Sequence, residues 1–227
     1  MGVFLEPCIL NGLALLQHLV LGACEIVGRS EGLQEFLSLL QRMQQLTYLD
    51  LGVTLCALAP AAAYSALTAS SKLQHLGLYM CTLPAGVGQY MFPPSRQLPQ
   101  LQALFISDVR VPDGPAVAPD GSSLVSCCPG LQLLSMDGLQ YHAELFAKLQ
   151  GLSSLHELHL RPAGESPAGL ELVGQLTSLR ELRVTIPTEA EGLLLKLTQL
   201  QGLTSLRLKG KLCNMNLCNK VGGDNCS

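Results

Sequence analysis

Leu16-Gln17-His18-Leu19-Val20-Leu21-Gly22-Ala23-Cys24 returns in close copy as Leu73-Gln74-His75-Leu76-Gly77-Leu78-Tyr79-Met80-Cys81. Both stretches read L-x-x-L-x-L-x-x-C. The first, fourth and sixth positions of that frame recur at Leu46/Leu49/Leu51, Leu101/Leu104/Ile106 and Leu131/Leu134/Met136. They continue at Leu155/Leu158/Leu160, Leu179/Leu182/Val184 and Leu203/Leu206/Leu208. The eight frames start at residues 16, 46, 73, 101, 131, 155, 179 and 203, so they lie 24 to 30 residues apart. Another leucine stands three positions before five of them: Leu13, Leu98, Leu152, Leu176 and Leu200. A single match would be trivial in a chain with about 50 leucines among 227 residues, but eight at near-regular spacing define an internal repeat.

The alternation dictates local structure. In x-L-x-L-x the leucines are two apart, so they share one face of a short strand while the residues between them face the other way. One repeat cannot bury its own leucine row, so adjacent repeats must stack, strand beside parallel strand. The intervening segments must then carry the chain back across the far side. Several read as helices: Glu31–Met43 capped by Ser30, a start at Ser166-Pro167, and a capping box at Thr188-Glu189-Ala190-Glu191. Pro60–Ala69 and Glu144–Leu149 are weaker helical segments. Leu83–Pro99 and Val111–Gly121 are rich in Gly and Pro, which predicts irregular loops and the loosest packing between residues 82 and 130. Such loops either carry recognition or are tolerated surface insertions.

This pattern, over about residues 10–210, resembles the leucine-rich-repeat family. The resemblance implies an α/β solenoid: a curved horseshoe of about eight repeats, with short parallel strands on the concave face and helices and irregular loops on the convex face. The family's Asn or Cys, three positions after the third leucine, is matched only by Cys24 and Cys81. Thr54, Val109, Leu139, Ala163, Pro187 and Lys211 stand there elsewhere, so its hydrogen-bond ladder should be incomplete. Residues 1–210 are expected to form one domain and 211–227 an Asn/Cys-rich tail or cap. Asn214, Asn216, Asn219, Asn225, Cys213, Cys218 and Cys226 all lie there, and Val221–Ser227 is expected to be disordered. By resemblance the function is a non-catalytic protein–protein interaction module. The Cys-bearing repeats are similar to those of F-box leucine-rich-repeat proteins, which implies the substrate-recognition part of a ubiquitin-ligase adaptor as an alternative. No F-box-like segment precedes residue 16. A structural component of a ciliary or other cytoskeletal assembly, or an enzyme regulator resembling ribonuclease inhibitor, are further alternatives.

Composition narrows the chemistry. Only 14% of residues are charged, the net charge is −3 and 14 residues are basic, which argues against nucleic acid, whose binding requires many neutralised phosphates. The apolar runs are too short and interrupted for a membrane span. Residues 1–24 are apolar, but Glu6 is the first charge and Asn11, Gln17 and His18 break the run, which the repeat explains better than a signal peptide does. Nine cysteines without a C-x-x-C pair fit a reduced, cytoplasmic setting, with cilium, axoneme or nucleus as alternatives. His156 and His159 are spaced i,i+3 and would point to opposite faces of a strand, so no metal site is expected there. Gly86-Val87-Gly88 lacks the context of a nucleotide loop, and no nucleophile elbow is present. No cofactor and no enzymatic activity are expected.

The functional surface is therefore expected on the strand positions between the leucines. Tyr48, Tyr79, Phe105 and Leu133 would form an apolar strip, with His75 beside it. Asp137, His159, Arg161, Arg183, Arg207 and Lys209 follow in later repeats, and the four cations would make one basic stripe. Glu157 and Glu181 flank that stripe and would neutralise part of it. An acidic protein surface with an apolar anchor is the natural complement. The first repeat leaves one sheet edge open, which predicts a partner there or a longer gene product.

Overall fold

A computed structural model describes residues 3–22, 24–26, 29–52, 59–112, 118–163, 169–185 and 196–210. In chain order the elements are β1 (Val3–Leu5), a 3-10 turn (Pro7–Leu10), β2 (His18–Gly22), β3 (Cys24–Ile26), α1 (Arg29–Arg42) and β4 (Tyr48–Gly52). A 3-10 helix (Ala61–Thr68), β5 (His75–Tyr79), α2 (Gly88–Met91), β6 (Ala103–Ser107), α3 (Gly121–Cys127) and β7 (Leu133–Leu139) follow. The rest are α4 (Ala143–Leu149), β8 (Glu157–Pro162), a 3-10 helix (Leu170–Gln175), β9 (Glu181–Thr185) and β10 (Ser205–Lys209).

Each of the eight frames yields one strand, beginning two residues after the first leucine. The strands form a single parallel sheet in the order β10-β9-β8-β7-β6-β5-β4-β2, which is chain order throughout. Register is kept from repeat to repeat: Leu49 pairs with Leu76, Leu76 with Leu104, and Leu104 with Leu134. This is the leucine-rich-repeat solenoid.

The same turn launches every strand. The first leucine of each frame donates its N–H to the carbonyl three residues earlier, at 2.9 to 3.3 Å in all eight repeats. One carbonyl of each repeat then accepts two N–H groups of the next, as Gln17 does from Thr47 (2.8 Å) and Tyr48 (3.0 Å). The residue three before each frame is buried in seven repeats, whether leucine or not: Met43, Ser70 and Cys128 fill that place beside Leu98, Leu152, Leu176 and Leu200. Ser70 fits because its hydroxyl donates to the Gln44 carbonyl (3.1 Å) and accepts from the Lys72 N–H (3.3 Å). Leu13, in the first repeat, is exposed.

The frame leucines make the core, which runs unbroken from Leu19 to Val184. α1 buries Leu33, Phe36, Leu37 and Leu40 against it, the i, i+3, i+4, i+7 face of an amphipathic helix. It begins at Arg29, so Ser30 lies inside the helix and is not its cap. The segment after Pro60 is a 3-10 helix, with Pro60 in the capping position rather than the first helical one. The α4 expectation holds within one residue. α3 was not expected from sequence; Asp120 caps it by accepting from the Ser123 N–H (2.9 Å). Residues 166–168, 188–191 and 211–227, which carry two helix starts and the tail, lie outside the described residues.

The Asn/Cys position behaves as its composition requires. Cys81 is fully buried and its thiol donates to the Leu51 carbonyl of the preceding repeat (3.4 Å), whereas Val109 and Leu139 fill the place with apolar bulk. Beneath the irregular loops lies an apolar cavity of about 310 Å³, lined by Leu83, Val87, Phe92, Val109 and Val111 among others. No helix among the described residues is long and apolar enough to cross a membrane.

Candidate functional site

Strand register sorts the open sheet face into columns. The first reads His18, Tyr48, His75, Ala103, Leu133, Glu157, Glu181, Ser205 from β2 to β10. The second reads Val20, Asp50, Gly77, Phe105, Ser135, His159, Arg183, Arg207, and Tyr79, Asp137, Arg161 and Lys209 lie in the third. Every expected face residue is on this side of the sheet. Two neighbours in the columns, Gly77 and Ser135, are nonetheless buried, because larger side chains fold over them.

In the N-terminal half the rings form a continuous ladder. His18 stacks on Tyr48 (centroids 5.7 Å apart, planes at 17°), and Tyr48 on His75 (4.0 Å, 7°). Phe105 then tilts against both His75 (5.0 Å) and Tyr79 (6.2 Å). Adjacent parallel strands are about 4.8 Å apart, so rings at equivalent positions must stack if both are planar. The ladder ends at Ala103 in the first column, and Leu133 continues it as an apolar side chain. Gly77 makes the crossing of columns feasible: a Cβ there would lie 2.7 Å from the Tyr79 ring and 3.2 Å from the Asp50 carboxyl. His18 and Asp50, which the strand alternation also sets on this face, belong to the same cluster.

Burial sets the electrostatics of the ladder. It lowers the His75 pKa below the ordinary imidazole value, against the pull of Asp50, and leaves the His75 Nε2 atom buried without a hydrogen-bond partner among the described residues. It raises the Asp50 carboxyl, with His75 opposing. The Tyr79 phenol is pushed up to about 12 by burial and then by the Asp50 charge. A neutral imidazole, a phenol and a half-buried carboxylate thus lie within an apolar strip, with the His75 Nε2 atom covered by its neighbours.

The C-terminal half is less uniformly basic than its sequence implied. Arg161 pairs with Asp108 (2.6 Å), a residue held at φ 51° in the turn after β6. Arg183 pairs with Glu181 (2.6 Å) and reaches Glu157 (3.7 Å). His159 Nε2 lies 2.7 Å from Glu157 Oε1, close enough for an ion pair when protonated but without directed hydrogen-bond geometry. Glu157, His159 and Glu181 bring three ligand-type atoms within 4.8 Å of one another, but Arg183 already occupies both carboxylates, so a cation would have to displace the guanidinium. Burial raises the Asp137 carboxyl, with Arg161 and His159 opposing. Arg207 and Lys209 are exposed and have no ion pair among the described residues. The stripe of four cations reduces to these two.

No protein-family model matches the chain, and no curated protein matches it. In overall shape it is similar to the plant peptide hormone receptor RGFR1 in complex with RGF2 (16% identity, TM-score 0.45), covering 86% of this chain and 32% of that one. The TLR13–ssRNA13 complex (16% identity, TM-score 0.46) covers 90% of this chain and 34% of that one. An internalin, InlF, from Listeria monocytogenes (18% identity, TM-score 0.39) covers 94% and 72% respectively. The chain spans about a third of the receptor and TLR13 chains. Eight frames and an eight-stranded parallel sheet in register define the fold without reference to these likenesses.

Proposed function

We propose that this chain is a non-catalytic protein-interaction module that takes a protein partner on the open face of its sheet. The observation that carries the proposal is the ring ladder His18–Tyr48–His75–Phe105–Tyr79, extended by Leu133. Stacked aromatics across four strands present a rigid apolar surface that loses little side-chain entropy on binding, the kind of group that anchors interfaces. At the far end of the same face, Arg207 and Lys209 complement an acidic surface and steer its approach. Asp137, His159, Arg161 and Arg183 form the polar ground between. The partner is thus a protein with an apolar anchor and an acidic patch, separated by about four strands, or roughly 20 Å.

The test is differential capture. Immobilised wild-type chain and a Tyr48→Ser/Phe105→Ser variant are exposed to the same cell extract, with a Glu35→Lys/Glu144→Lys variant altered on exposed helix positions as control. The proposal expects a protein retained by wild type and control but lost by the ladder variant. Retention by the ladder variant and loss by the helix variant would move the site to the opposite side.

A further inference from the structure

The acids on and beside the C-terminal half of the open face are met by cations. Glu157 and Glu181 share Arg183, and Asp108 holds Arg161. Asp137 lies in the field of Arg161 and His159. Asp50, on β4, is the exception. Among the described residues it has neither a hydrogen bond nor an ion pair, and β2, β4, β5 and β6 contain no lysine or arginine. The basic group that acts on it is His75, and burial holds that imidazole below its ordinary pKa, so it is largely uncharged at neutral pH. A half-buried carboxylate without a partner is destabilising, because it gives up water and gains no bond in exchange. A charge kept on those terms points to a ligand that brings the missing counter-ion.

The surroundings select that counter-ion. Gly77 has no side chain, and the place its Cβ would take is bordered by the Tyr79 ring (2.7 Å) and the Asp50 carboxyl (3.2 Å). Ring and carboxyl therefore meet over bare backbone. Burial and then the Asp50 charge raise the Tyr48 phenol, and Phe105 tilts against Tyr79 at 6.2 Å. Asp50, Tyr48, Tyr79 and Phe105 are each half-buried, so each keeps part of its surface in water. Ring faces carry negative potential and attract cations. A guanidinium suits both kinds of wall: it lies flat against a ring and forks two N–H donors onto a carboxylate. An ammonium is a compact, strongly hydrated point charge and does neither.

We propose that Asp50, with the Tyr79, Tyr48 and Phe105 rings, forms a subsite for an arginine side chain of the protein partner. This rests on the reading that the partner binds the open face, and it names what that partner brings to the ladder. The guanidinium pairs with Asp50, and the methylenes behind it cover the rings as part of the apolar anchor. The partner is then basic at the ladder and acidic at Arg207 and Lys209. Turned end for end, it would set its arginine against those two cations and an acid against Asp50, so the two sites together fix its orientation.

Blocked amino acids test the subsite without the partner. N-acetyl-arginine amide, its neutral isostere N-acetyl-citrulline amide and N-acetyl-lysine amide are each titrated into the full chain, and the NMR shifts of the tyrosine ring protons are followed. Charge-assisted hydrogen bonds predict that arginine binds about tenfold more tightly than citrulline, with lysine between them. Asp50→Asn brings arginine down to the citrulline level and melts no lower than wild type, because it removes an unpaired charge and no bond. Glu35→Gln, on α1, leaves the preference intact. Equal binding of arginine and citrulline, a preference that survives Asp50→Asn, lysine as tight as arginine, or an Asp50→Asn chain that melts well below wild type would each overturn the proposal. Ladder-dependent capture of a partner without an arginine preference removes the subsite and leaves the open-face reading standing. An arginine preference with capture that ignores the ladder removes the open-face reading, and the partner's use of the subsite with it.

Discussion

Leu158→Ala and Leu206→Ala remove the same atoms from the same place in the repeat, and the stack predicts different costs. Leu158 is fully buried, in register between Leu134 and Leu182, which are also fully buried. Truncation deletes three carbons, a transfer loss of about 2.4 kcal/mol at ~0.8 kcal/mol per methylene. Both flanking leucines are locked by their own strands, so the space collapses little, and the cavity term brings the total to about 3–4 kcal/mol. Leu206 is 44% exposed and meets a described neighbour, Leu182, on one side only. It forfeits roughly half the transfer energy and leaves no closed void, a cost of about 1 kcal/mol. Urea unfolding followed by far-UV circular dichroism, at equal m-values, reads the difference. Equal costs at the two positions would refute the reasoning that burial comes from stacked neighbours rather than from within the repeat.

Other outcomes follow from particular contacts. Thr68→Val should lose about 1–3 kcal/mol, because the buried Thr68 hydroxyl donates to the Met91 carbonyl (2.7 Å) and valine leaves that carbonyl unpaired; the same unfolding assay measures it. His75, whose pKa is lowered on folding, binds fewer protons in the folded than in the unfolded chain, so its contribution is present above pH 6.5 and lost as pH falls below it. His75→Phe should therefore flatten the stability–pH curve just below pH 6.5, and an unchanged slope would exclude His75 as its source. Amide exchange between residues 82 and 130, over the apolar cavity, should be faster than in β7 to β9; uniform protection would contradict the looser packing there. Arg207→Glu/Lys209→Glu should weaken capture of the partner and reduce its salt dependence while melting with wild type, whereas Arg161→Ala should change binding little, because Asp108 already holds that side chain.

The strands were legible because two constraints coincide in them: alternation fixes the face, and the repeat fixes the neighbour. Each frame became a strand for that reason, even where Ile106, Met136 or Val184 replaces leucine. Return segments are less constrained, since a helix, a 3-10 turn or a loop can each cross the same distance. Ser30 has the chemistry of a cap, yet the helix starts one residue before it. α3 went unseen because Ser122, Ser123 and Cys127-Cys128 favour no helix, and its stability comes from Asp120 and burial of Leu124 and Cys127. On the open face, position in the columns was legible but pairing was not. Arg161 reaches Asp108, 53 residues earlier, through a turn whose left-handed backbone no local pattern announces. The ring ladder depends on His18 and His75 as much as on the tyrosines, and a count of aromatic residues undervalues both.

Hydroxyl-radical footprinting of the chain with its captured partner tests the open-face reading most directly, because aromatic and histidine side chains report their own solvent contact. Binding should protect Tyr48, Tyr79 and Phe105 and leave Tyr90, exposed on the loop side, as reactive as in the free chain. Protection of Tyr90 with an unprotected ladder would contradict the account and place the partner on the irregular loops instead.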